Sequence, residues 1–176
     1  MQYRSKSADA ALRLSQAQAL RALTSEHGVT FIVNDDAQLA LAVDADGVHL
    51  GATDGEIAAA RALLGADRLI GASCYNQLAL AREATQAGAD YVAFGAFFVS
   101  STKPEAVVAQ PALLREARRE LAVPVVAIGG ITAANGAQLV QAGADALAVI
   151  TALFEAADVE LAARELATLF TQARAT

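Results

Sequence analysis

Asp44-Ala45-Asp46-Gly47-Val48, Gly88-Ala89-Asp90-Tyr91-Val92 and Gly143-Ala144-Asp145-Ala146-Leu147 are three versions of one passage. Each sets Ala-Asp directly before an apolar run, and the return of one unit along a chain marks a repeated supersecondary element. In the last two versions the glycine follows a helical segment ending in Gln-Ala, where a C-cap glycine lets the chain reverse. The repeated unit is therefore helix, tight turn, strand.

Working outward, apolar runs suited to strands lie at Phe31 to Val33, Ala45 to Leu50, Leu69 to Ala72, Tyr91 to Phe94, Val125 to Ile128 and Ala146 to Ile150. Ala-rich helical segments sit between them, at about Ala8 to His27, Gly55 to Leu64, Gln77 to Ala87, Ala112 to Leu121, Ala133 to Gln141 and Val159 to Ala173. Short strands alternating with longer helices are the signature of βα units and a parallel sheet. With Gln2-Tyr3-Arg4 taken as the end of a further strand, seven strands are expected, and a closed barrel has eight. The expected fold is α/β, a TIM (β/α)8-type barrel whose first strand and helix are absent, with residues 1–176 as one domain. The unpaired edges at Gln2 to Lys6 and Ala146 to Ile150 are expected to lower stability or to be covered by another chain, as in a homo-oligomer. An open doubly wound sheet is the alternative, but no Gly-rich dinucleotide fingerprint follows an early strand.

Composition narrows the function. The 176 residues are 55% hydrophobic but only 5% aromatic, with no Trp, so Ala, Val, Leu and Ile must build the core, as in buried parallel strands. A net charge of −6 argues against a nucleic-acid partner, which needs clustered Lys and Arg. Any anionic ligand needs a local site. Cys74 is the single cysteine, which rules out a disulfide framework within one chain and fits the cytoplasm. Met1 to Ala10 holds no apolar stretch of the signal-peptide kind, and no run nears ~18 apolar residues, so no membrane partner is expected.

In barrels of this class the reactive groups lie where strands run out into loops. Those positions hold Asn34-Asp35, then His49 to Asp54, then Ser73 with Tyr75 and Asn76, then Ser100-Ser101-Thr102-Lys103, then Gly129-Gly130. Asp35 and Asp54 suit a hard cation such as magnesium, which keeps several waters and takes further ligands from substrate phosphates; the plainer reading makes each a helix N-cap. Ser100 to Lys103 offers hydroxyls and an ammonium to phosphate oxygens, although a bland polar loop has the same composition. Gly129-Gly130 before a helix presents backbone N–H groups where an anion is favoured, and equally fits a tight βα turn. Arg4 and Lys6 alternate with Ser5, so both can point to one side, unless they are simply exposed charge at a chain start. His49 ends a buried strand, where a satisfied core histidine is at least as common as a catalytic one. Cys74 reads as packing rather than as a nucleophile.

Taken together, Gln2-Tyr3-Arg4-Ser5-Lys6, Asn34-Asp35, Gly47-Val48-His49-Leu50-Gly51 with Asp54, Gly71-x-Ser73, Thr102-Lys103-Pro104 and Ile128-Gly129-Gly130-Ile131 resemble the thiamine phosphate synthase family, over Met1 to about Ala173. The resemblance implies a transferase of thiamine biosynthesis that joins 4-amino-5-hydroxymethyl-2-methylpyrimidine diphosphate to a thiazole phosphate with release of diphosphate. It implies Mg2+ on Asp35 and Asp54, and diphosphate on Arg4, Lys6, Asn34 and Lys103. Gln2 and Ser73 line the pyrimidine pocket in that reading, Ser100, Thr102, Gly130 and Thr151 serve the thiazole phosphate, and Ile150 is a further substrate-binding residue. Arg4, Lys6, Ser73 and Lys103 are its catalytic set. Ala52, Tyr75, Ala96 and Ser100 depart from the family pattern. Two other readings remain at this point: a barrel like the aminothiazole tautomerases, and a phosphate-ligand-binding barrel without catalysis.

Overall fold

The computed structural model describes residues 1–99 and 108–173. Seven parallel strands alternate with helices, an α/β fold of the TIM-barrel class. The strands are β1 (Gln2–Tyr3), β2 (Ile32–Asn34), β3 (Gly47–Leu50), β4 (Leu69–Tyr75), β5 (Tyr91–Phe94), β6 (Val125–Ile128) and β7 (Ala146–Ala148). The helices are α1 (Ala10–Glu26), α2 (Ala37–Ala42), α3 (Ile57–Leu64), α4 (Leu78–Gln86), α5 (Pro111–Glu120), α6 (Ala133–Gln141), α7 (Thr151–Phe154) and α8 (Val159–Ala173). The chain divides into two compact units, Met1–Ser73 with Glu83–Tyr91, and Cys74–Arg82 with Val92–Thr176.

In the first unit β1 pairs with β2, β2 with β3 and β3 with β4, all parallel. Its core is mainly aliphatic, with the rings of Phe31 and Tyr3 set among Val33, Val48, Ile70, Ala17 and Leu64. Gly47 is needed for close approach, because a Cβ there would lie 2.2 Å from the Leu69 carbonyl oxygen. Helix starts follow capping chemistry: Asp9 accepts from the Leu12 N–H at 3.0 Å and Asp36 from the Leu39 N–H at 2.9 Å, each satisfying an N–H that a helix leaves open.

In the second unit β5 pairs with β6 and β6 with β7. Phe94, Leu114, Val125 and Leu139 are fully buried. Pro111 opens α5, where its missing N–H costs nothing. The final strand is shorter than expected. It ends at Ala148, because the Ile150 carbonyl accepts from Leu153 and Phe154 and turns the backbone into α7.

The repeated Ala-Asp acquires a physical meaning in the structure. Asp46 accepts the Phe31 N–H at 2.7 Å, Asp90 the Ile70 N–H at 2.7 Å and Asp145 the Val125 N–H at 2.9 Å. Each Asp returns its own N–H to the carbonyl of the residue it holds, at 2.9, 2.8 and 2.8 Å respectively. Each carboxylate also meets an arginine from a helix: Arg21 on Asp46, Arg61 on Asp90 and Arg118 on Asp145. The glycines that precede two of these units take left-handed φ of 101° at Gly88 and 111° at Gly143, whereas Asp44 stands in the same place at 53°.

The clamp has a measurable contribution. Val125 is fully buried, so Asp145→Ala strands its N–H and should cost about 1–3 kcal/mol. Urea unfolding of the variant should show a lower midpoint with an unchanged slope; a midpoint equal to that of the parent chain contradicts the clamp.

Candidate active site

In the first unit the ends of β1, β2, β3 and β4 carry Gln2, Arg4, Lys6, Asn34, Asp35, His49, Asp54 and Ser73, all singled out in the sequence. Gln2 donates from Nε2 to Asn34 Oδ1 at 2.7 Å. Asp35 follows β2 with φ of 68°, a left-handed conformation that Asp tolerates better than most residues. Its N–H still donates to the His49 carbonyl at 2.9 Å, so the end of the strand ladder fixes where its carboxylate starts. Neither Asp35 nor Asp54 is a helix cap: α2 is capped by Asp36 and α3 starts after Glu56. Asp54 instead closes its own loop, accepting the Gly51 N–H at 2.8 Å.

The two carboxyl groups lie against each other. Burial, then a hydrogen bond that the protonated Asp35 carboxyl shares with Asp54, then the Asp54 charge raise the Asp35 pKa, while Lys6 pulls it down. Lys6 Nζ stands 3.4 Å and Arg4 Nε 3.8 Å from Asp35 Oδ2. An extended start thus delivers both cations to one carboxylate, as the alternation of Arg4 and Lys6 requires. Among the described residues no third His, Cys, Asp or Glu joins the pair. A pair of part-exposed carboxylates is an all-oxygen donor set of the magnesium type, so the chemistry of these residues fits that ion.

Behind the carboxylates runs a buried polar column. His49 Nε2 is 2.9 Å from Ser73 Oγ and His49 Nδ1 is 3.1 Å from Tyr91 Oη. The imidazole and phenol rings stack with centroids 5.5 Å apart and planes at 29°. Burial pushes the His49 imidazole down to about 4, against the nearby Asp54 charge, and burial pushes the Tyr91 phenol up. His49 is thus a satisfied histidine and a neutral one. Tyr91 is a residue that the sequence reading missed. A signal was there: the position after the repeated Asp is Gly47, Tyr91 or Ala146, and only one of the three carries a large polar ring.

In the second unit, Gly129 and Gly130 follow β6 with φ of 101° and 62°. A Cβ on Gly130 would meet the Val99 and Phe98 carbonyl oxygens at 2.7 and 2.8 Å, so only glycine fits this turn. Asn135, also absent from the sequence reading, staples it: Nδ2 donates to the Gly130 carbonyl at 3.0 Å and Oδ1 accepts the Thr132 N–H at 2.8 Å. The turn leads directly into α6. Ile150 precedes α7 and is 60% exposed, and Thr151 is the first residue of that helix. Cys74 is fully buried and burial pushes its thiol up to about 12, the opposite of what a nucleophile needs. Ser100, Thr102 and Lys103 lie outside the described residues. Among the described residues no helix is long and apolar enough to cross a membrane.

Parallel βα units with charged and glycine-rich groups at the strand ends define a β/α-barrel protein whose loops present carboxylates and cations together. Comparison with known proteins narrows the class. A family model described as thiamine monophosphate synthase matches residues 1–153. Thiamine-phosphate synthases of Methylobacillus flagellatus and Thiobacillus denitrificans are each 59% identical over 170 residues, covering 97% of this chain and 81% of theirs. A thiamine phosphate pyrophosphorylase from Pyrococcus furiosus superposes with a TM-score of 0.89 at 38% identity, covering 98% of this chain and 82% of that one. The chain belongs to the thiamine monophosphate synthase family.

The neutral state of His49 makes stability depend on pH in a definite direction. The folded ring titrates near 4 and the unfolded one near 6.5, so the unfolded chain binds the proton first. The contribution is complete above pH 6.5 and is lost as pH falls from there through 4. Unfolding free energies measured across that range should decline towards acid, and less steeply in His49→Gln.

Proposed function

We propose that this chain is a thiamine phosphate synthase, a transferase that alkylates the nitrogen of a thiazole phosphate with 4-amino-5-hydroxymethyl-2-methylpyrimidine diphosphate. The C–O bond to the diphosphate breaks and its electron pair leaves with the diphosphate. The thiazole nitrogen supplies the pair for the new C–N bond, and the products are thiamine phosphate and diphosphate. The observation that carries this reading is the Asp35–Asp54 carboxyl pair flanked by Arg4 and Lys6, in a chain of this family.

Charge that builds on a departing diphosphate must be met by preorganised positive groups. Arg4 and Lys6 are held ready for that task by Asp35, and Lys103 is assigned to it from the sequence. Asp35 and Asp54 would hold magnesium, which when bound neutralises phosphate oxygens and lowers the barrier to their departure. Asn34, oriented by Gln2, donates to the same end of the substrate. Gln2 and Ser73 contact the pyrimidine, and the column behind Ser73 keeps water out while the carbon carries positive charge. Gly130 and Thr151, with Ser100 and Thr102 from the sequence, serve the thiazole phosphate, and Ile150 is a further substrate contact. The reaction needs no general base of tuned pKa, in keeping with a neutral His49 and a high-pKa Cys74. A lone buried thiol also agrees with a cytoplasmic enzyme.

Incubation of the chain with both substrates and Mg2+ should yield thiamine phosphate and diphosphate in equal amounts; no product from a folded chain rejects the activity. Asp54→Asn removes one of the two carboxylates and should abolish Mg2+-dependent turnover while the Tm stays near that of the parent. Normal turnover with unchanged Mg2+ dependence rejects the metal assignment. Lys103→Ala should lower kcat more than it raises KM, as for a contact that strengthens in the transition state.

A further inference from the structure

We propose that Tyr91 and His49 are positioning residues that lock the Ser73 hydroxyl as an outward hydrogen-bond donor to the substrate. This rests on the synthase reading above for the identity of the substrate, but the direction of the hydrogen bonds stands on the column alone. Three polar side chains form a line: Tyr91 Oη, then His49 Nδ1 at 3.1 Å, then from His49 Nε2 to Ser73 Oγ at 2.9 Å. An imidazole between two hydroxyls can carry its proton on either nitrogen, or on both when charged, and the end of the line whose hydroxyl has a single partner decides which.

Tyr91 decides. Its phenol is mostly buried and meets, among the described residues, only His49 Nδ1. A buried hydroxyl that accepted from Nδ1–H would leave its own proton without a partner, which is costly. With the phenol as donor, Nδ1 is the acceptor, the ring proton sits on Nε2, and Nε2–H donates to Ser73 Oγ. The serine oxygen then already accepts a hydrogen bond, and its proton is the group left to face a ligand. Ser73 in this state offers a donor and is not set up as a base or nucleophile, since the imidazole beside it has no free acceptor nitrogen to take its proton. The ligand must therefore present an acceptor there, such as a heteroaromatic ring nitrogen or a phosphate oxygen.

Glycine at position 71 is part of the device. A Cβ on Gly71 would lie 2.0 Å from Tyr91 Cζ and 2.5 Å from His49 Nδ1. No side chain fits without breaking the contact between the two rings. The Gly71-x-Ser73 pattern is thus one unit: the glycine admits the relay and the serine ends it.

Two measurements test the relay. The first is 15N NMR of the histidine-labelled parent chain at neutral pH, with His49 assigned by its absence in His49→Gln. A pyrrole-type Nε2 and a pyridine-type Nδ1 are expected, and Tyr91→Phe should mix the two tautomers. Proton on Nδ1, or a charged ring, overturns the proposal. The second is a double-mutant cycle on kcat. Tyr91→Phe should lower kcat about tenfold, the worth of one well-placed hydrogen bond, with Tm near that of the parent. The same substitution in a Ser73→Ala background should change kcat little, because the relay acts only through Ser73. Equal losses in both backgrounds overturn it. Should the parent chain fail to make thiamine phosphate, the synthase reading falls, and the tautomer measurement still decides the relay.

Discussion

A carboxylate at the start of one strand satisfies the backbone of the residue opening its neighbour, and this constraint carries the rest of the structure. A strand that begins in the interior exposes an N–H with no partner of its own, at a cost of about 1–3 kcal/mol if it stays unpaired. Asp46, Asp90 and Asp145 supply that partner and are themselves held by Arg21, Arg61 and Arg118. Because each bond is reciprocated through the backbone, the clamp also sets register. Phe31 is locked to Asp46, and counting along both strands brings Ile32 opposite Gly47, Val33 opposite Val48 and Asn34 opposite His49. The alignment of polar groups at one end of these strands is therefore determined at the other end.

One residue beyond the second clamp the same logic produces the buried column. Ile70 is tied to Asp90, and next along each chain Gly71 and Tyr91 meet at a distance that only a glycine permits. The phenol reaches His49, and His49 reaches Ser73. Burial keeps the imidazole neutral, so the column transmits orientation and adds no charge. The carboxylates behave differently. Asp35 and Asp54 repel each other and are partly buried, and their juxtaposition persists because Arg4 and Lys6 stand on one side and the Gly51 N–H fastens the other. Charge stored this way is suited to a partner that arrives with cations or carries phosphates.

Much of this was legible in the amino-acid order. The βα alternation, the glycine reversals at Gly88 and Gly143 and the spans of β5, β6, α6 and α8 follow from periodicity and turn chemistry, which act locally. The two-turn and one-turn helices α2 and α7 were not legible, since six and four residues are too few to establish a helical period. For the same reason β7 was read through to Ile150. The family motifs located the carboxylates and the strand-end glycines, but not Tyr91 or Asn135. Both act through contacts distant in sequence or on a turn's backbone, and a lone Tyr or Asn gives no period to detect. The arginines of the clamps were hidden likewise, because Arg21, Arg61 and Arg118 sit 25, 29 and 27 residues from their aspartates.

The eight positions that separate Asp46 from Asp54 hold both kinds of residue, the clamp at the strand's beginning and the carboxylate at the loop beyond its end. The clamp sits at one end of the strand and the carboxylate beyond the other, with Val48 and Leu50 buried between them. Such a separation makes the two ends independent of each other. Substitutions in the loops after β2, β3 and β4 leave the clamps at the opposite strand ends intact, so the loops can change without first losing the fold. The exception is Gly71, where packing and the polar column meet in one residue, so that a side chain there would disturb both at once.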